Sequence, residues 1–352
     1  MYYKIKALHS IGVKIILHCY HYGRNPSNKL NYFCDRVYYY ARSTGISGFS
    51  WSLPYIISSR CSKELLLNLQ KDDYPILFEG IHTTFFIRHT ELLGRLRMIR
   101  THNIEHEYYH GLMQGERNIF KKLYFLSEFK KLRKYETTLP GDVMIGAISV
   151  ADMNYFSNRC DSVSHIPAFH PYKEIEIKQG LGDYILFHGN LSVPENIRSL
   201  RFLINHVFSK IKQRVIISGK DPSKDIVRKI KHFKNLKLIP NPTDLKMQEL
   251  IRNAQINILH SFQTTGIKLK LISSLFLGRH CLVNHPVVEN TGLDELCIIA
   301  DDQAQMIRLI EEYSSIPFYA DQIEKRNNVL SKHYSNSDNA KKIVEFMRRL
   351  DK

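Results

Sequence analysis

Ser261-Phe262-Gln263-Thr264-Thr265-Gly266-Ile267-Lys268-Leu269-Lys270 (SFQTTGIKLK) follows a strand-like run, residues 255–260 (QINILH), and opens a helix-like run, residues 266–277. Strand, turn and helix in that order are the repeating step of an α/β protein. The free N–H groups at the start of such a helix, together with its dipole, make an anion site. Lys268 and Lys270 fall in the first turn, where the dipole disfavours each cation by roughly 0.3–1 kcal/mol. Two lysines there are better accounted for if an anion sits between them. The plainer alternative is a Thr-capped helix with solvated lysines.

The same alternation runs outward in both directions. In the second half, strand-like runs at 184–188 (YILFH), 214–218 (RVIIS) and 280–284 (HCLVN) are separated by helix-like runs at 197–212, 224–233 and 246–253. Two of these strands end in Gly189 and Gly219, where the backbone can approach a phosphate closely. In the first half, a helix-like start at 3–10 precedes strands at 12–20, 74–80, 96–102 and 143–149. A single long helical stretch, 104–138, carries Leu123, Leu126, Phe129, Leu132 and Tyr135 at helical spacing, opposite a basic face from Lys121 to Lys134. Residues 167–182 are rich in Pro, Gly and charge and read as a linker. The expectation is an α/β chain with parallel sheets and two Rossmann-like domains, 1–170 and 183–320. The helices of 321–352 would pack back toward the first.

A length of 352 residues with 43% hydrophobic content suits two domains with buried cores. Lys and Arg outnumber Asp and Glu 50 to 34, a net charge of +16, which favours anionic partners without choosing among them. None of the six cysteines forms a C-x-x-C pair, which argues against zinc-finger and thioredoxin-like readings. No apolar run approaches the ~20 residues of a membrane-spanning helix, and Lys4, Lys6 and Lys14 interrupt any signal-peptide core. The expected location is the cytoplasm, with the inner membrane face as a docking place.

Two further motifs carry chemistry. Phe187-His188-Gly189-Asn190-Leu191-Ser192-Val193-Pro194-Glu195-Asn196 runs from a strand through a Gly-Asn loop into a Pro-started helix, so Gly189 and Asn190 can face a phosphate or sugar. Arg100-Thr101-His102-Asn103-Ile104-Glu105-His106-Glu107-Tyr108-Tyr109-His110 gathers titratable groups at a strand end. His102, His106 and His110 would share a helical face if the helix began early, but the pattern lacks the His-Glu-x-x-His spacing of zinc proteases. His102 reads instead as a group that binds a sugar hydroxyl or relays a proton. Glu79 and His82 end another first-half strand and join Asn103 and Glu105 as acceptor-side candidates. Asp152 reads as a helix cap, and Trp51 has no assignment. The basic face beside Tyr124 and Phe125 reads as a solvated helix face or as a contact with an anionic membrane.

The chain resembles bacterial family 4 (group 1) glycosyltransferases of the GT-B fold, in particular a Bacteroidetes-type subgroup. The resemblance rests on residues 100–109 (RTHNIEHEYY), Gly189-Asn190 with Glu195-Asn196, residues 265–271 (TGIKLKL) and Gly292-Leu293. It implies two Rossmann-like domains facing across a cleft, with the C-terminal helix returning to the first. It implies a nucleoside-diphosphate sugar in the second domain and a saccharide or lipid-linked acceptor in the first. Transfer would retain anomeric configuration without a metal or other cofactor, with amides and basic side chains stabilising the leaving diphosphate. On this resemblance the donor residues are Gly189, Asn190, Lys220, Thr265, Gly266, Ile267, Lys268 and Lys270. Three departures stand out. Many relatives carry Glu-x7-Glu where this chain has Thr265 and Ser273-Ser274. They place Arg and Lys where it has Asn190 and Glu195-Asn196. They also begin with a strand and glycine-rich loop, so about 20–25 residues of a first βα unit would be missing before Tyr3.

Three alternatives remain at the level of sequence: a nucleotide-sugar 2-epimerase, an inactive truncated relative, and a nucleic-acid-binding protein. The second half offers no clear acid set for epimerisation, and the basic residues do not interleave with aromatics as a stacking platform would. Nucleic acid is therefore not expected as a partner.

Overall fold

The computed structural model describes residues 1–23, 25–116, 118–264 and 269–348. The chain divides into two compact units. The first takes Met1–Met113, Asn118–Pro171 and the chain from Tyr334 onward, and the second chiefly Tyr172–His333.

In the first unit α1 (Tyr2–Ser10) leads into β1 (Ile16–His21) and β2 (Arg36–Ala41). There follow α2 (Tyr55–Ser58), α3 (Lys63–Leu69), β3 (Ile76–Glu79), β4 (Arg97–Arg100), α4 (Glu105–Gly115), α5 (Ile119–Thr137), β5 (Met144–Ala147), α6 (Val150–Ser157) and β6 (Val163–His165). The strands form two sheets, a parallel pair β1-β2 and a parallel set β3-β4-β5-β6. The long helix expected over 104–138 is two helices. Asn118 breaks it, its side-chain oxygen accepting the N–H groups of Phe120 and Lys121 at 3.0 and 3.2 Å. Val143 and Ile145 pack with Phe78, Ile99 and Phe156 on one face of the larger sheet. Met98 and Met144 pack on the other face with Ala7 and Leu8 of α1. Ala340 and Ile343 of the C-terminal helix α14 (Asn336–Arg348) complete that second cluster, so this helix belongs to the first unit.

The second unit holds β7 (Ile185–His188), α7 (Pro194–His206), β8 (Val215–Gly219), α8 (Lys224–Lys231), β9 (Leu236–Pro240), α9 (Asp244–Asn253) and β10 (Ile256–Leu259). It continues with α10 (Leu269–Leu277), β11 (His280–Val283), α11 (His285–Val288), β12 (Ile298–Ile299), α12 (Gln303–Tyr313) and α13 (Ala320–Tyr334). All six strands are parallel in the order β12-β11-β10-β7-β8-β9. Counted from β7, that is the Rossmann order 3-2-1-4-5-6 read from the other edge. The direction in which strands are added reverses between β7 and β10, and a ligand crevice is expected beyond the carboxyl ends of these two strands. Leu200, Leu203 and Ile204 of α7 are fully buried against Ile185, Phe187 and Ile217. Each such side chain contributes about 1.5–3 kcal/mol by leaving water. Four strands, β2, β6, β9 and β12, escape the reading by sequence pattern. Each lies at a sheet edge, and β2 also carries three tyrosines in a row.

Candidate functional site

The loops beyond β7 and β10 converge on a basic group in the second unit. Gly189 follows β7 and donates its N–H to Ser218 O at 3.1 Å. A Cβ at Gly189 would lie 3.3 Å from the Asn196 amide, so glycine lets the start of α7 close over the strand end. Asn190 holds the loop together. Its side-chain oxygen accepts Ser192 N–H and Oγ–H at 3.0 and 2.8 Å, and its carbonyl accepts the Asn196 amide at 2.9 Å. Lys270, one residue into α10, reaches back to Asn196 Oδ1 at 3.4 Å and lies 5.9 Å from the Phe187 ring. Beside it His188 is buried, with Nε2 3.2 Å from Ser274 Oγ, and burial followed by the Lys270 charge holds its pKa down to about 3. His260, beyond β10, is buried against Phe202, with Nδ1 3.3 Å from Ser199 Oγ. Burial, then Lys270 and Arg198, lower its pKa to about 4. Both imidazoles are therefore neutral near pH 7, and the fixed charge of the group comes from Lys270 and Arg198.

Arg198 lies one turn into α7 with its guanidinium 3.9 Å from the Phe262 ring centroid, and among the described residues no carboxylate pairs with it. Glu195 has a structural task. One oxygen accepts Ser261 Oγ–H at 3.0 Å and Phe262 N–H at 2.6 Å, while Asn284 exchanges two hydrogen bonds with the Ser261 backbone. The loop from Ser261 to Gln263 is thus tied to α7 and β11. Of the residues expected to bind an anion, Gly189, Asn190 and Lys270 come together here. Lys220 sits exposed in the loop after β8, its carbonyl accepting Leu191 N–H at 2.9 Å. Thr265, Gly266, Ile267 and Lys268 lie outside the described residues. His188 and His260 stand in quoted stretches without being given a task, and Arg198 lies outside every motif. The signal for Arg198 is its register, one turn on from Pro194 at the helix start and so close to the same strand ends. Ser274, one of the two serines at the expected Glu position, is fully buried beneath β7.

The first unit has its own polar group at the carboxyl ends of the neighbouring strands β3 and β4. Glu79 Oε1 lies 3.0 Å from His102 Nε2, and the other carboxylate oxygen takes the buried Lys4 ammonium. Burial, then Arg100 and Lys4, hold the His102 pKa down to about 3, so the imidazole stays neutral. With Nε2–H donated to Glu79, Nδ1 is left as an acceptor. The His82 and His102 rings are 5.9 Å apart, and Gly80 adopts φ +84°, where a Cβ would lie 2.5 Å from the His82 ring. Arg100 is buried and donates to the carbonyls of Thr101, Gly146 and Pro167 at 2.6, 3.2 and 3.0 Å. Asn103 is half-buried in the loop before α4. Glu105, at the start of α4, is buried near Glu136 and Asp152, and burial with these like charges lifts its pKa to about 7.

The three histidines of the motif do not share a face. The helix begins at Glu105, so His102 precedes it, and His106 turns inward, donating its backbone N–H to Glu136 at 3.2 Å with Nδ1 2.5 Å from that carboxylate. His106 and His110 line a cavity of about 390 Å³ between α4, α5 and α6, to which Arg133 and Arg159 also contribute. Among the described residues no group of three or more His, Cys, Asp or Glu side chains is placed to hold a metal ion. Ser149 caps α6 by accepting Asp152 N–H at 3.1 Å, so Asp152 stands within the first turn and is not the cap residue.

The combination of an α/β chain, parallel sheets and a Rossmann-ordered second unit is the fold of the GT-B glycosyltransferases, and solved members of that class superpose on this chain. TarM matches 80% of the chain at 14% identity and a TM-score of 0.60, and the chain spans 57% of TarM's length. UGT89C1 of Arabidopsis thaliana, solved with UDP-L-rhamnose, matches 98% of this chain and 95% of its own at 11% identity and a TM-score of 0.58. The α,α-trehalose 6-phosphate synthase of Burkholderia multivorans matches 84% of this chain and 75% of its own, at 11% identity and a TM-score of 0.54. By sequence, the chain is 27% identical over 304 residues to an uncharacterized 44.6 kDa protein in the cps region of Klebsiella pneumoniae, covering 81% of this chain and 77% of that one. No protein-family model matches the chain. No helix among the described residues is long and apolar enough to cross a membrane.

Proposed function

We propose that the protein transfers a sugar from a nucleoside-diphosphate sugar to a saccharide or lipid-linked acceptor, with retention and with side-chain cations in the role a divalent metal plays elsewhere. The observation that carries this reading is the Lys270–Arg198 pair beside two neutral imidazoles at the strand reversal of the second unit. As the bond between the anomeric carbon and the diphosphate breaks, negative charge gathers on the leaving oxygen. Fixed cations in a partly dry site stabilise that charge more than they stabilise the bound donor. The acceptor hydroxyl oxygen forms the new bond, and its proton leaves with the phosphate. In the first unit His102, neutral and oriented by Glu79, accepts a hydrogen bond from a sugar hydroxyl and sets its direction. Glu79, His82, Asn103 and Glu105 belong to the acceptor side of this reading. Gly189, Asn190, Lys220 and residues 265–268 belong to the donor side.

The structural neighbours support the donor class, since UGT89C1 was solved with UDP-L-rhamnose, and the cps-region relative agrees with polysaccharide synthesis. Melting-temperature shifts with UDP, GDP, dTDP and their sugars identify the base, because a ligand that binds only the folded state raises the midpoint. Lys270→Ala is expected to weaken binding of the responding nucleotide by about tenfold to a hundredfold, the range of one charged hydrogen bond. Unchanged affinity by calorimetry would remove Lys270 from the site and take the main support from this reading.

A further inference from the structure

Two neighbouring segments of the first unit expose apolar side chains that their own core does not use. The loop after β2 presents Ile46 at 95% exposure and Trp51 at 89%, with the Phe49 ring edge-on to Trp51 at 4.9 Å. The first turns of α5 present Ile119, Phe120 and Leu123 at 60, 79 and 55%. The segments are joined directly. Lys131 of α5 donates to Ser50 O at 3.2 Å and sits 5.4 Å from the Phe49 ring centroid, and Tyr55 donates its N–H to Glu128 of α5 at 2.6 Å.

Their charge is one-sided. From Arg36 to Lys63 the chain contains no Asp or Glu, but carries Arg36, Arg42, Arg60 and Lys63. From Asn118 to Tyr135 there are six Lys and Arg against a single acid, Glu128, which is buried and taken by Lys131. Lys121, Lys122, Lys130 and Lys134 are exposed, and among the described residues no carboxylate pairs with them. Apolar side chains that project beyond the core, surrounded by cations without counter-charges, match the two layers of an anionic bilayer surface: acyl chains below and phosphates above.

We infer that the loop at Ile46–Trp51 and the start of α5 form a docking surface for an anionic phospholipid membrane. Phe120, Leu123 and Trp51 would enter the acyl boundary while Lys121 and Lys122 meet lipid phosphates. Such docking needs no sugar donor, so it stands or falls apart from the proposed transfer reaction.

Trp51 is the only tryptophan, so the native protein carries its own reporter. With phosphatidylcholine vesicles containing phosphatidylglycerol, the emission is expected to shift to the blue and the protein to sediment with the lipid, both reversed by salt. Lys121→Ala with Lys122→Ala should lower partitioning by about thirtyfold, the product of two basic contacts near an anionic surface. Phe120→Ser with Leu123→Ser should abolish the emission shift while leaving the melting temperature unchanged, since both side chains lie outside the core. Three results would overturn the inference. One is an absence of co-sedimentation and of any shift at low salt. Another is equal binding to vesicles of phosphatidylcholine alone. The third is a dimer in sedimentation velocity that the Phe120 and Leu123 substitutions dissolve, which would make the patch a contact between copies of this chain.

Discussion

Among the described residues the second unit's sheet runs unbroken through six parallel strands, whereas the first unit's six strands fall into a pair and a set of four. Burial follows strand pairing, and in the first unit every residue of the inner strands β4 and β5 is buried. Every residue of β7 and β10 is buried, as expected for inner strands of a parallel sheet covered on both faces, but no residue of β1 is. The pair β1-β2 is held by other means. His18 stacks on Tyr38 at 5.2 Å, and its Nδ1 lies 2.8 Å from the phenol oxygen of Tyr40, a residue that is almost fully buried. Where strand pairing is complete, backbone fixes the spacing of the loops that follow. Where it is interrupted, side chains do, and side chains can yield.

Two glycines make a related contrast measurable, between a backbone neighbour and a side-chain neighbour. A Cβ at Gly219, the last residue of β8, would stand 1.8 Å from the Gly189 carbonyl oxygen, which belongs to the fixed backbone of the neighbouring strand end. A Cβ at Gly146, in β5 of the first unit, would stand 2.4 Å from Met98 Cε, the far end of a flexible side chain. Gly219→Ala is therefore expected to destabilise by about 3 kcal/mol or more, and Gly146→Ala by about 1 kcal/mol. Urea unfolding of the two variants decides the matter. Equal losses would mean that the strand end at Gly189 gives way as readily as a methionine, and the contrast between backbone and side-chain neighbours would lose its physical basis.

The polar groups at the two sheet edges differ in a related way. In the second unit the carboxylate, Glu195, is occupied in holding a loop, and the cations face neutral imidazoles. In the first unit, the carboxylate Glu79 stands between Lys4, whose pKa burial and then Arg100 lower, and His102, so the carboxylate is partnered and a neutral acceptor is left over. The cationic group suits an anion, and the neutral imidazole acceptor of the first unit suits an uncharged hydroxyl. On this division, His102→Ala should lower kcat by about tenfold to a hundredfold while nucleotide affinity changes less than about twofold. Steady-state kinetics beside calorimetry would show it. An equal loss in both quantities would place His102 with the donor or with the fold.

Much of the second unit is legible in the amino-acid sequence. Runs such as Ile185–His188 and Ile256–Leu259 are short, apolar and followed by polar loops, because a doubly covered parallel strand leaves no other choice. The edge strands β9 and β12 are not legible: Leu236–Pro240 mixes Lys237 and a proline into its run, and Ile298–Ile299 is two residues long. His102 and Glu79 can be read as strand-end residues. Lys4 cannot, since nothing local distinguishes a lysine buried against Glu79 from the solvated Lys6 two residues on. Arg198 is hidden for a similar reason. Its role follows from the ring of Phe262, 64 positions away in the chain by the difference of the two numbers, and only the sheet order brings them together.

The smallest expected effect is a dependence on pH, in which Glu105 sets the first unit apart on the alkaline side. Glu105 of the first unit has its pKa raised from 4.5 to about 7, chiefly by burial and then by Glu136 and Asp152. A raised carboxyl contributes stability that is fully present below pH 4.5 and is lost as pH rises through 7, because only the folded state holds the proton in that window. His188 and His260 of the second unit are lowered from 6.5 to about 3 and about 4. Their contribution is present above pH 6.5 and is lost as pH falls toward those values, since the unfolded state then takes up the protons. Alkaline conditions should therefore weaken the first unit, whereas acid should weaken both, since His82 and His102 of the first unit are also lowered to about 3. Glu105→Gln removes the charge from the first and should be more stable than the parent at about pH 8 by about 1–3 kcal/mol, with little difference at about pH 5. Urea unfolding at the two pH values tests the sign. A variant no more stable than the parent under the alkaline condition would show that Arg60, the one cation acting on Glu105, already neutralises it.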